Sequence, residues 1–255
     1  MLYFTAASKS FFVALLAFAV FFSAQKSVAQ TPYASPYSLS WKLDAPMAGV
    51  SIGLHTSYLL LKRKLQPLTE AQILALRRED VWAFDRSPTY NWSRPAAHVS
   101  DGLMFFAMAS PALLLLDGNI RRDAGKISVM GLQVFALNTG ITNLTKILVQ
   151  RTRPFVYNPD APMDYKTRAD ARLAFFSGHT SVASSMSFFT AKVFHDYNPN
   201  SRARPYIWAS AALVPAVTGY LRWRAGKHFI TDILVGYAVG AVVGILVPEL
   251  HRRIR

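Results

Sequence analysis

The sequence contains no cysteine. That excludes a disulfide framework, a thiolate nucleophile and any cysteine-based metal site, and it leaves the redox compartment open. Charge is sparse too. Asp, Glu, Lys and Arg make up 16% of the 255 residues, and acids are the scarcer sign, 14 against 28 bases. Apolar residues reach 52%. That is too apolar for an ordinary soluble domain and fits several membrane helices joined by short loops. The length allows one or two domains. No fixed-period repeat and no low-complexity tract is present. A net charge of +14 has three physical meanings: nucleic acid, an anionic membrane surface or an anionic substrate. Nucleic acid is the weakest of these, because the basic residues are spread between apolar segments and form no single stripe. Membrane lipids are the expected surroundings, with no nucleic-acid partner.

At the N-terminus, Lys9 precedes the apolar run Ser10 to Ala24, and the small residues Ser27 and Ala29 then offer a cleavage site. Residues 1–29 read as a signal peptide or an N-terminal membrane anchor, and either routes the chain to the export pathway. Thr31 to Ser38 reads as an irregular linker. Apolar segments follow at about Ala45–Leu61, His98–Leu116, Ile127–Val149, Ser181–Phe194, Ile207–Leu221 and Phe229–Leu250. A span needs about 20 residues, so the fourth and fifth rely on polar flanks or a shorter path. The expected fold is an all-α integral membrane bundle of five to six spanning helices, with the active site at one membrane face. Residues 30–97 would supply the first membrane helix, an interfacial helix and a loop, and residues 98–255 the core bundle. Thr69 and Gln72 form a capping-box pattern for a short helix. Trp82, Phe84, Tyr90 and Trp92 among charges suit an interfacial loop, with substrate gating as the alternative.

Three stretches carry chemistry. The first is "TKILVQRTRPF", in which Lys146 and Arg153 stand seven apart, two helical turns, on one side of a helix that Pro154 ends. The second is "SGHTS", in which Gly178 permits close approach of a ligand. There the backbone N–H groups near Ser177 to His179 open an apolar helix, an anion-binding arrangement. The third is "LRWRAGKHFITDIL". His228 and Asp232 are four apart on the opening turn of the last span, and Arg222 precedes them across a turn containing Gly226. A carboxylate on one imidazole nitrogen fixes the tautomer and frees the other nitrogen as nucleophile or base. Taken singly, these are interfacial anchors, a capped helix start and a structural His–Asp pair.

Together, Lys146-x6-Arg153-Pro154, Ser177-Gly178-His179 and Arg222-x5-His228-x3-Asp232 resemble the type 2 phosphatidic acid phosphatase superfamily, which also includes bacterial acid phosphatases and vanadium haloperoxidases. The blocks cover residues 146–232, and the helical layout extends the resemblance to about 98–250. Two positions depart from the pattern: Phe176 where the family usually has Pro, and Leu221 where it usually has Ser. The resemblance implies that His228 attacks phosphorus with Asp232 orienting it, and that His179 protonates the leaving oxygen and later activates water. It implies that Lys146, Arg153, Arg222, Ser177 and the Gly178 N–H hold the phosphoryl oxygens. No metal or other cofactor is expected. The implied activity is a membrane phosphatase acting on the phosphomonoester or pyrophosphate of a lipid phosphate. The alternatives are a vanadate-dependent haloperoxidase and a catalytically silent lipid-phosphate-binding protein.

If the spans alternate, the three blocks share one membrane face, and the basic stretches "NIRRDAGK", "NPNSRARPY" and "HRRIR" share the other. Positive charge marks that other face as cytoplasmic, which puts the site outside a bacterial inner membrane. Two features oppose this. "LKRK" at Leu61 to Lys64 would lie on the site's face, and a cleaved signal would give the wrong parity for six spans.

Overall fold

A computed structural model describes residues 35–253, so the reading of residues 1–29 as signal or anchor lies outside the described residues. Among the described residues six long helices carry the architecture: α1 Trp41–Lys62, α2 Arg94–Ala109, α3 Ala124–Val149, α4 Gly178–Tyr197, α5 Arg204–Arg224 and α6 Ile230–Leu250. They coincide with the six apolar segments. Behind α2, Pro111 helps tighten the chain into a 3-10 turn over Ser110–Leu116, prolonging the apolar rod. Among the described residues the only strand-like pairing is an isolated bridge between Tyr37 and Arg252. The chain is an all-α, multi-pass membrane bundle.

Among the described residues, three stretches are long and apolar enough to cross a membrane on their own: Arg94–Leu116, Ala124–Tyr157 and Ile230–Leu250. The other three long helices fall short for physical reasons. α1 carries Lys42, Asp44, His55 and Lys62, and α5 is bounded by arginines and interrupted by Pro215. α4 is the bundle's axis. It is buried from Thr180 to Ser187, so its neighbours are helices and not lipid. Its hydroxyls are therefore satisfied by protein. Ser181 donates to Asn138 Oδ1 at 2.6 Å, Ser184 to Tyr237 O at 2.8 Å, and Ser185 and Thr190 to carbonyls of their own helix. Small side chains let backbones approach, as is common between membrane helices. On α6 a methyl added at Gly236 would stand 2.6 Å from Ser177 O, and one at Gly240 closer still to Ser181 O.

The bundle has two distinct ends. At one, Tyr37 OH donates to Asp196, Tyr197 OH to Asp123, Asn198 to Asp117, and His251 pairs with Asp44 at 2.8 Å. These contacts gather the three basic stretches Asn119–Lys126, Asn198–Tyr206 and His251–Arg253 on one face, together with Ser35 where the described chain begins. At the other end lie the C-termini of α1, α3 and α5 and the N-termini of α2, α4 and α6. The predicted capping box forms, with Thr69 and Gln72 exchanging hydrogen bonds. Trp82, Phe84 and Tyr90 are exposed beside it. Trp92 instead packs edge-on against Tyr165 and beside Phe155. The "LKRK" stretch is at this end too, where Arg172 donates to Gln66 O.

Candidate active site

All eight predicted site residues meet at the second end, although two arrive by routes the spacing did not indicate. α3 stops at Val149, and Gln150 takes a left-handed conformation that returns its N–H to Lys146 O. Arg153 is therefore not on the helix of Lys146, as the seven-residue spacing suggested. It sits in an extended segment hydrogen-bonded to the run before Ser177: Arg153 N–H to Ala171 O, and Ala174 N–H to Arg151 O. Likewise His228 precedes α6 instead of sharing its first turn with Asp232. Asp232 is the third helical residue and its Oδ2 accepts the Phe229 N–H at 2.9 Å, closing the turn onto His228.

Lys146 is buried, and its Nζ donates to Leu173 O at 2.8 Å. Its stem passes Gly178, where a methyl would lie 3.6 Å from Lys146 Cε. Arg153 Nε donates to Asp170 O and Nη1 to Lys227 O. Ser177 caps α4, accepting the Thr180 N–H, and its own N–H is committed to Asp232 O. The Gly178 N–H opens the helix and points out of its first turn. Arg222, buried in the last turn of α5, donates to Ser100 Oγ and to Asp101 Oδ1. Gly226 has φ 67°, and a side chain there would strike the Asn91 carbonyl; this turn brings Lys227 and His228 back over the site.

His228 is 1% exposed. Burial holds its imidazole well below the ordinary range, and so do the positive charges of Lys146, Arg153 and Arg222, with His179 beside them. The ring is thus neutral, the state a nucleophile requires. Its Nδ1 faces Asp232 Oδ2 at 3.5 Å without a hydrogen bond.

Three acidic or basic partners were missed in the sequence. Asp101 on α2 lies 2.7 Å from His179 Nε2 and 3.3 Å from Arg222, so its carboxylate already occupies donors that an anion would use. An acid within an apolar span was the available signal. Arg151, inside the first motif's spacer, donates to Asp232 Oδ1 at 2.6 Å and to Asp85 Oδ2 at 2.7 Å. Asp85 comes from the interfacial loop and is 1% exposed. No periodicity marked it.

The His179 and Arg222 side of the cluster opens into a cavity of about 250 Å³ lined by Trp92, Asp101, Tyr165, His179, Arg222 and Lys227. Lys227 Nζ stands 4.4 Å from the centre of the Phe155 ring and 5.1 Å from that of Trp92. Burial, then Arg153 and Arg222, push the Lys227 ammonium down to about 8.

Residues 129–255, the half of the chain that supplies every predicted site residue, match the family model described as PAP2 superfamily. This chain belongs to the PAP2 superfamily. A relative, the lipid A 4'-phosphatase of Porphyromonas gingivalis, is 38% identical over 80 residues, which cover 31% of this chain and 30% of that protein. The alignment thus spans less than a third of the relative's length. The crystal structure of a transmembrane PAP2 type phosphatidylglycerolphosphate phosphatase from Bacillus subtilis matches with a TM-score of 0.51 at 21% identity, covering 80% of this chain and 98% of that one. At that identity the likeness is one of fold. Asp85 and Asp101 both lie outside the PAP2 match.

Proposed function

We propose that this PAP2 chain is a membrane phosphatase that removes phosphomonoester or pyrophosphate groups from lipid phosphates through a phosphohistidine. The observation that carries the proposal is His228, a buried neutral imidazole faced by three cations, with a carboxylate behind one nitrogen. Its Nε2, on the side away from Asp232, attacks phosphorus. Burial and the charges of Arg222, Arg153 and Lys146 push the free His179 imidazole down to about 2, so His179 takes up a proton only when the phosphoryl anion offsets those charges. The P–O bond to the leaving group then breaks, and His179 passes that proton to the leaving oxygen. Lys146, Arg153, Arg222 and the Gly178 N–H balance the charge that spreads over the phosphoryl oxygens in the transition state. Ser177 contributes chiefly by capping α4 and so aiming that N–H. Water, deprotonated by His179, then attacks the phosphohistidine, releasing phosphate and restoring both histidines. Asp101 keeps His179 facing the pocket until a phosphoryl group takes over its donors. Inorganic phosphate release from lipid phosphates in detergent micelles tests this reading directly. Release from at least one lipid phosphate or pyrophosphate is expected, and none across phosphatidate, phosphatidylglycerol phosphate, undecaprenyl pyrophosphate and lipid A would overturn it.

The leaving group would lie in the cavity beside Lys227. The Lys227 amine is charged below about pH 8 and neutral above it, and an anionic ligand favours the charged form. Binding should therefore weaken as pH rises, with KM increasing up to about fivefold from pH 8 to 9. Lys227→Met should flatten that limb; a flat wild-type profile would take Lys227 off the substrate's path.

We also propose that the site faces the periplasm, because the opposite face collects the three basic stretches. Ser35 would then be cytoplasmic, which fits an uncleaved anchor better than cleavage after Ala29. The absence of native cysteine allows a clean test. Cysteine at exposed Gln66, on the site's face, should label in intact cells with a membrane-impermeant maleimide. Cysteine at exposed Asn200 should label only after lysis. The reverse pattern would invert the topology.

A further inference from the structure

Asp85 is buried in the loop that precedes α2, yet both its oxygens reach the catalytic turn. Oδ1 accepts the Thr231 N–H at 3.0 Å, and Oδ2 accepts from the Thr231 hydroxyl and from Arg151 Nη2 at 2.7 Å. The second arm of the Arg151 fork holds Asp232 Oδ1 at 2.6 Å, and Arg151 Cζ lies 4.0 Å from the centre of the Phe229 ring. Asp232 thus has one oxygen fixed by Arg151 and the other turned to the Phe229 N–H and His228 Nδ1. A simple helix cap would need neither the guanidinium nor a second carboxylate. We propose that Asp85 and Arg151 form a positioning relay, Asp85–Arg151–Asp232–His228, through which a loop outside the family-matched half of the chain sets how strongly Asp232, 3.5 Å from His228 Nδ1, draws in the nucleophile's Nδ1–H when a phosphoryl group binds.

The relay rests on the phosphatase reading for its purpose but not for its detection. Charge logic gives the two variants opposite signatures. In Asp85→Asn the Arg151 charge is uncompensated, draws density from Asp232 and weakens its bond to His228. In Arg151→Gln that pull is gone and the bond strengthens, while Asp232 loses its anchor. The other charges facing His228, namely Lys146, Arg153, Arg222 and His179, are the same in both. Ring-proton spectra of 15N-histidine-labelled protein in micelles, with saturating inorganic phosphate, report this bond; the resonance is assigned by its loss in His228→Ala. The Nδ1–H signal is expected to move upfield in Asp85→Asn and downfield in Arg151→Gln. Turnover of a lipid phosphate is expected to fall about 10- to 100-fold in each, the usual cost of losing a partner that orients a functional imidazole, with Asp85→Glu recovering part of it. Shifts of one sign in both variants, or no shift in either, would overturn the relay. Should Asp85→Asn not fold, Arg151→Gln decides alone: a downfield shift supports the relay, and an upfield or absent shift overturns it. Opposite shifts in a protein that releases phosphate from nothing would instead sink the phosphatase reading and leave the relay standing.

Discussion

His228→Ala is expected to lower turnover by about 10⁴- to 10⁶-fold on every phosphate substrate, the range seen when a covalent nucleophile is removed. The loss should not depend on the leaving group, because no phosphoenzyme can form with any of them. The side chain is 1% exposed, and the charges of Lys146, Arg153 and Arg222 act on it. Truncation leaves a small cavity, and a stability loss of about 1–3 kcal/mol is the expected structural side effect. Unfolding in detergent therefore needs to be followed alongside activity. Retained turnover in a folded variant would remove His228 from the reaction.

His179→Ala is expected to behave differently, and the difference is its diagnostic. An alkoxide leaving from a lipid alcohol needs a proton, whereas nitrophenolate departs without one. Loss of a positioned general acid costs about 10²- to 10⁴-fold on the lipid, with a much smaller loss of nitrophenolate release in the first turnover. The second step also slows, because water has lost its base. Nitrophenolate should then appear as a burst equal to the enzyme present, followed by slow turnover. Equal losses on both substrates without a burst would show that His179 only binds. His179 has a partner the sequence did not reveal, Asp101 at 2.7 Å, so the variant also frees a carboxylate against Arg222.

The apolar runs and the three motif blocks were legible because each is a local statement: a stretch long enough to span, or typed residues at fixed spacing. Six helices and eight converging residues followed from them. The route between the residues was less legible. Seven residues from Lys146 to Arg153 suggested a helix face, but Gln150 turns left-handed and the chain continues extended, paired with residues 171–174. That pairing joins segments about twenty residues apart, which no periodicity records. Asp85 and Asp101 were harder still. Each reaches the site from a different element, Asp85 across 146 residues to Thr231 and Asp101 across 78 to His179. Only the folded arrangement of α2 and the interfacial loop against α4 and α6 gives those carboxylates their partners. The apolar run within α4, Ser181–Phe194, is short for a span, and serines punctuate it. Its position at the bundle axis explains both features, since side chains facing other helices bond to them instead of dissolving in lipid.

The phosphohistidine itself is the most direct test. His179→Ala enzyme, mixed with ³²P-labelled phosphate ester and quenched in alkaline denaturant during the burst, should carry acid-labile, alkali-stable label on the peptide containing His228, and His228→Ala enzyme should carry none. Label that survives in His228→Ala, label on a carboxylate, or no label at all during a clear burst would contradict nucleophilic attack by His228.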